Sequence, residues 1–172
     1  MELMTIRSGS NANCVYIKKD GYGILIDAGV GPRTLASALR AAGSDISRVA
    51  AIFITHEHID HIRGLETITN RYHIPVFANE ATLYAIEARL PGIDSSAFYT
   101  LPTGANAVCP DLQVTSFKTP HDACGSVGFR FNFSDGSALG YATDIGYITK
   151  GIANALFGCQ TVILESNYDV QL

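Results

Sequence analysis

Short apolar runs of strand length alternate along this chain with segments whose apolar residues recur every three or four positions. The stretch "CVYIKKDGYGILIDAG" reads as a β-hairpin, with Cys14 to Ile17 as one arm, a turn across "KKDGYG", and Ile24 to Ile26 as the other arm. "GPRTLASALRAAG" predicts a helix, in which Pro32 suits the first turn and Gly43 the C-terminal stop. "RVAAIFIT" is apolar without a break, the pattern of a strand covered on both faces. "GLETITNRYH" is weakly helical, "IPVFAN" predicts a short strand, and "EATLYAIEARLPG" predicts a helix ended by proline and glycine. After that helix the texture changes. "DLQVTSFKTP", "VGFRFNFSDGSALGYATD" and "TVILES" predict strands, with a hairpin turn at "SDGS". The sum is a layered α/β (α+β) domain with antiparallel hairpins in it, which argues against a simple doubly wound sheet.

Composition narrows the picture. A chain of 172 residues, 47% hydrophobic and 16% charged, is predicted to form one ordered globular domain over 1–172. No apolar run approaches the roughly 20 residues that span a bilayer, and "MELMTIRSGS" lacks the basic and apolar regions of a signal peptide. A cytoplasmic location without a membrane partner is therefore expected. Cys14, Cys109, Cys124 and Cys159 form no C-x-x-C pair, so each reads as a small buried apolar residue rather than part of a disulfide framework. Cys124 follows His121 by three residues, but packing is the commoner use of such a thiol. The formal net charge of −4 advertises no global field for nucleic acid, so an anionic substrate would have to be held locally.

One stretch changes the functional picture. "IFITHEHIDHIRG", residues 52–64, holds three of the chain's five histidines. They follow a predicted buried strand, at the carboxyl edge where open α/β sheets carry their sites. In extended chain His56 and His58 share a direction while Glu57 points elsewhere, and Asp60 and His61 can face back from the following turn. Two such sets fit two adjacent metal ions better than one tetrahedral ion. Imidazole suits zinc and iron, and carboxylate widens the choice to manganese. A polar turn of solvated histidines is the alternative, but four ligand-type residues directly after a buried strand have no evident packing purpose. Asp27, His121 and Asp144 also stand where apolar strands meet turns, although either acid alone would serve as a cap or turn residue.

The motif H-x-H-x-D-H, here His56, His58, Asp60 and His61, resembles that of the metallo-β-lactamase superfamily of metal-dependent hydrolases. "GILIDAG", "FKTPHDACGSVGF" and "GYATDIGY" agree with it in order, so the likeness covers nearly the whole chain. "SGSNANCVYI", "PHDA", "TDIGY" and "LESNYD" are most similar to its YycJ-like (WalJ-like) branch. The resemblance implies an αββα sandwich and a phosphodiesterase or exonuclease acting on nucleic acid. It implies a first metal on His56, His58 and His121, a second on Asp60 and His61, Asp144 bridging both, and Asp27 beneath them orienting ligands. Asp60, His61 and Asp144 are then the candidate catalytic residues. Relatives of this kind continue beyond "LESNYD" and supply a final histidine, whereas no histidine follows His121 here. The domain is thus expected to be missing its C-terminal part, with the second metal weak or empty and activity reduced.

Two divalent ions bring four positive charges and two carboxylates offset half, so such a site attracts an anion. A water between the ions would be acidified toward neutrality and act as nucleophile, and the ions would hold the developing oxyanion. The loop "SGSNANC" could present donors from Ser8, Ser10 and Asn13 to a phosphate, although the same residues build ordinary turns. The branch usually shows glycine where Ala12 stands. Arg63 could meet a phosphate, against the commoner reading of a solvated arginine, and His73 reads as a surface residue. Two further functions stay open: a thioester (glyoxalase II-like) or lactam hydrolase using the same metals, and a metal-binding or inactive interaction protein.

Overall fold

A computed structural model describes residues 1–109 and 111–165. The chain divides into two compact units. One comprises Met1–Thr100 with Ala123–Gly125, and the other comprises Leu101–Asp122 with the chain from Ser126 onward.

The first unit is built on a six-stranded sheet in the order β1 (Glu2–Arg7), β2 (Cys14–Lys19), β3 (Tyr22–Ile26), β4 (Val49–Phe53), β5 (Val76–Ala78), β6 (Phe98–Thr100). The first two neighbouring pairs are antiparallel and the last three are parallel. The predicted β2–β3 hairpin forms, with a tighter turn than the six residues expected. Lys19 pairs with Tyr22, and Asp20 and Gly21 take the left-handed φ values of 45° and 92° that a two-residue turn requires. Helix α1 (Pro32–Ala41) starts at Pro32 and stops as predicted at Gly43, where Ser44 N–H donates to Leu39 O and Gly43 N–H to Arg40 O. Helices α2 (Ile59–Ile62), α3 (Leu65–Tyr72) and α4 (Glu80–Arg89) follow, and the side chain of Asn79 caps α4 by accepting from Ala81 N–H.

Alternate residues Cys14, Tyr16, Leu25, Ile52, Val76 and Ala78 of the strands, with Ile54 just past β4, pack with Leu35, Leu39, Ile62, Leu65, Ile68, Leu83 and Ile86 of the helices into one core. Each such buried aliphatic side chain contributes about 1.5–3 kcal/mol. The intervening residues Ile17, Ile24, Ile26, Ala51 and Phe53 are buried as well, which accounts for the unbroken apolar run predicted as a two-sided strand.

The second unit carries a five-stranded sheet in the order β11 (Thr161–Leu164), β10 (Ala138–Ala142), β9 (Val127–Phe133), β8 (Leu112–Lys118), β7 (Asn106–Cys109). Its pairs are antiparallel except β10–β11, which is parallel and is connected through helix α5 (Lys150–Leu156). The "SDGS" turn closes as predicted, with Gly136 at φ 81° and the Asp135 carboxylate accepting from Ser137 N–H. Residues 166–169 of "LESNYD" lie outside the described residues. No helix among the described residues is long and apolar enough to cross a membrane.

Candidate metal centre

Strands β3 and β4 are parallel neighbours, so their carboxyl ends lie side by side. Asp27 directly follows β3 and adopts a left-handed φ of 60°, a conformation aspartate tolerates, while its N–H donates to Phe53 O. Its carboxyl group is fully buried and must be satisfied internally. Oδ1 accepts the Thr55 N–H at 2.9 Å, Oδ2 lies 3.0 Å from the Thr55 hydroxyl, and Oδ2 lies 2.8 Å from His61 Nδ1. Thr55 Oγ1 also lies 3.0 Å from His56 Nδ1.

These contacts favour one tautomer of each ring. Because a carboxylate is the stronger acceptor, the Thr55 hydroxyl proton is assigned to Asp27, and Thr55 Oγ1 then accepts from His56 Nδ1–H. His61 likewise donates through Nδ1 to Asp27. Both imidazoles therefore carry their lone pair on Nε2, as a metal ligand oriented by a carboxylate does. The His56 ring lies 4.6 Å from that of His58 and 4.0 Å from that of His61, centroid to centroid. A ring nitrogen of His56 falls within 4.8 Å of one on His58 and of one on His61.

Glu57, between the two histidines, points elsewhere as alternation predicts. Its buried carboxylate accepts the backbone N–H of Cys124 at 3.1 Å. Burial pushes this carboxyl up, but the Cys124 N–H and the residue's own N–H outweigh that and hold it below the ordinary value. Cys124 departs from the expectation of a buried thiol. It is exposed, and hydrogen bonding to Glu57, followed by the charge of Glu57, raises its pKa. Cys14 is buried as expected, and desolvation followed by the charge of Asp27 pushes its thiol far up.

Asp60 and His61 sit on the short α2, whose N-terminal flank is His58. Asp60 Oδ2 lies 3.4 Å from His61 Nε2. The loop before β2 reaches this pair through the side chain of Asn13. Asn13 Nδ2 donates to Asp60 Oδ2 at 2.9 Å and lies 3.0 Å from His61 Nε2. Asn13 N–H donates to Asp60 O, and Gly29 N–H donates to Asn13 O. A Cβ on Gly29 would collide with the Asp60 carbonyl and the Asn13 nitrogen, so the approach needs glycine. Ser8 and Ser10 remain exposed, while the guanidinium of Arg63 is tied to Asn11 O at 2.9 Å. His73 is exposed at the end of α3, near Asp94.

His121 and Asp144 belong to the second unit. They follow the carboxyl ends of β8 and β10, which run in the same direction because both pair antiparallel with β9. Asp144 has a φ of 53°, and Gly146 N–H donates to Pro120 O, joining the two loops. The Glu165 carboxylate braces the Asp144 loop by accepting Ile145 N–H at 2.7 Å, and His121 Nδ1 lies 3.2 Å from Asp122 Oδ1.

The sequence pattern of the Beta-lactamase superfamily domain matches residues 22–171. The chain belongs to this superfamily. Exodeoxyribonuclease YycJ of Bacillus anthracis is 31% identical over 172 residues, 100% of this chain and 65% of that protein. Exodeoxyribonuclease WalJ of Streptococcus pneumoniae serotype 2 (strain D39 / NCTC 7466) is 31% identical over 169 residues, 97% of this chain and 62% of that protein. The chain thus spans less than two thirds of the length of these relatives. Among solved structures, the subclass B3 metallo-beta-lactamase MEM-A1 from a soil metagenome library superposes with a TM-score of 0.68 at 20% identity, covering 90% of this chain and 73% of that one. The mixed α/β fold expected from the motif, with two sheets and their helices, is the one observed.

For this superfamily member the donor set fits a divalent cation. Two ligand atoms each about 2.0–2.1 Å from a tetrahedral ion stand about 3.3 Å apart, close to the Asp60–His61 separation. Thr55 is the residue that sequence reasoning missed. A β-branched hydroxyl directly before the first histidine was its only signal. Gly29 and Gly64 were missed too; a Cβ on Gly64 would strike Val30 O.

Proposed function

We propose that this chain is a metal-dependent hydrolase of phosphodiester bonds, an exonuclease acting on nucleic acid in the cytoplasm. We take the two units to work as one domain, since one superfamily pattern spans both. His56, His58 and His121 would hold one ion, Asp60 and His61 a second, and Asp144 would bridge them, with zinc or manganese the candidate metals and iron a third. When bound, such ions supply an acidified water and offset charge on the phosphodiester. The chain's own residues do the rest. Asp27 and Thr55 set the ring orientation of His56 and His61, and Asp60 and Asp144 balance part of the cationic charge so that net attraction for an anion remains. Ser8 and Ser10, exposed on the adjoining loop, are the candidate phosphate donors.

The observation that supports the reading is the buried Asp27–Thr55 pair, which engages Nδ1 of both histidines and leaves Nε2 available as a donor atom for a cation. The nucleic-acid substrate rests on similarity to exodeoxyribonucleases along the entire chain. End-labelled single- and double-stranded DNA incubated with zinc- or manganese-loaded protein tests it. Progressive shortening that stops with a chelator and with His58→Ala is expected. Intact nucleic acid contradicts the reading, and turnover of an acyl-glutathione in its place would select the thioester hydrolase.

A further inference from the structure

We propose that Asn13 is a positioning residue that sets Asp60 and His61 as a pair of ligands for one divalent cation and ties them to loop 9–13. The inference rests on the metal site proposed above and assigns a residue that does not itself bind metal. The Asn13 side-chain nitrogen has three acceptors within reach: Gly9 O at 3.1 Å, Asp60 Oδ2 at 2.9 Å and His61 Nε2 at 3.0 Å. It has two hydrogens. Since His61 donates through Nδ1 to Asp27, its single Nε2 lone pair can accept from Asn13 or bind a cation, not both. A cation on Nε2 takes that lone pair, so the Asn13 amide moves off the ring and keeps its two hydrogens for the two oxygens, Gly9 O and Asp60 Oδ2.

The same residue is clamped on every side. Asn13 N–H holds Asp60 O at 2.8 Å, Asn13 Oδ1 accepts Gly9 N–H at 3.0 Å, and Gly29 N–H holds Asn13 O at 2.9 Å. The backbone of Asn13 is therefore a fixed base from which the amide holds the Asp60 carboxylate, whose Oδ2 lies 3.4 Å from His61 Nε2, a spacing a shared cation can use. Loop 9–13 and the metal ligands become one hydrogen-bonded unit.

Calorimetric zinc titration of the metal-free chain tests this, with the relevant step identified as the one lost in His61→Ala. Asn13→Ala is expected to weaken that step tenfold or more, as loss of a partner that orients a ligand does, and to leave the other step within about twofold. As a check that does not depend on a variant folding, the Asn13 side-chain amide resonances of the wild-type chain should move in step with the same ion. Unchanged affinities in a folded Asn13→Ala chain, amide signals indifferent to zinc, or a wild-type chain whose every bound ion survives in His61→Ala would each overturn the proposal. A wild-type chain that takes no ion would instead sink the reading on which it rests.

Discussion

Thr55 donates its single hydroxyl proton to Asp27 and is placed to accept from His56, so one buried oxygen links the carboxylate to a candidate ligand histidine. Thr55→Val keeps the shape, removes the link and leaves the Asp27 carboxyl short of a donor. It is expected to lower zinc affinity about 10–100-fold while the far-ultraviolet spectrum stays that of the folded chain, and competition with a chromophoric chelator would measure it. The candidate ligands were readable as a set because imidazoles and carboxylates at alternating positions after a buried strand have few other uses. Thr55 and the contacts of Asn13 were not, because threonine ends many strands and asparagine builds many loops. Arg63 was legible as a candidate phosphate contact, and one of its five N–H donors holds Asn11 O.

Elements place these residues by close backbone approach. Gly29 lets Asn13 and Asp60 meet, and Gly29→Ala drives a methyl group into two backbone atoms that cannot yield. A loss of about 3 kcal/mol or more in urea unfolding is expected, in the range of severe overpacking. Asn79→Ala removes the cap of α4 and should cost about 1 kcal/mol by the same measurement. The turns at Ile46–Arg48 and Ser95–Ala97 are capped by Asp45 and Asp94, whose carboxyls are held below the ordinary value by the Ser47 and Ser96 side chains first and by their backbone N–H groups next. That support is complete above an ordinary aspartate pKa of about 3.9 and fades as pH falls through the lower folded value. Asp94→Asn should therefore flatten the acid limb of a stability–pH curve, slightly, since the group is exposed. Helices α1, α3 and α4 and the long strands were legible from periodicity. Strand β1 was not, because it is a mostly exposed edge, and β6 and β7 are only three and four residues long. Helix α5 escaped notice because "KGIANAL" buries Ile152 alone and has a glycine inside.

At the scale of the molecule, the ligand-type residues are divided between two units, His56, His58, Asp60 and His61 on one and His121 and Asp144 on the other. A cation held by residues that folding brings together binds the folded chain and not the unfolded one, so zinc should stabilise the protein by about 2.7 kcal/mol at a hundredfold excess over Kd. The measurement that tests this most directly is metal content per chain after reconstitution and desalting, for the wild type beside His58→Ala and His121→Ala. The account predicts at least one ion per wild-type chain and a clear loss in both variants. No bound ion in the wild type, or a His121→Ala chain that retains the full complement, would contradict it.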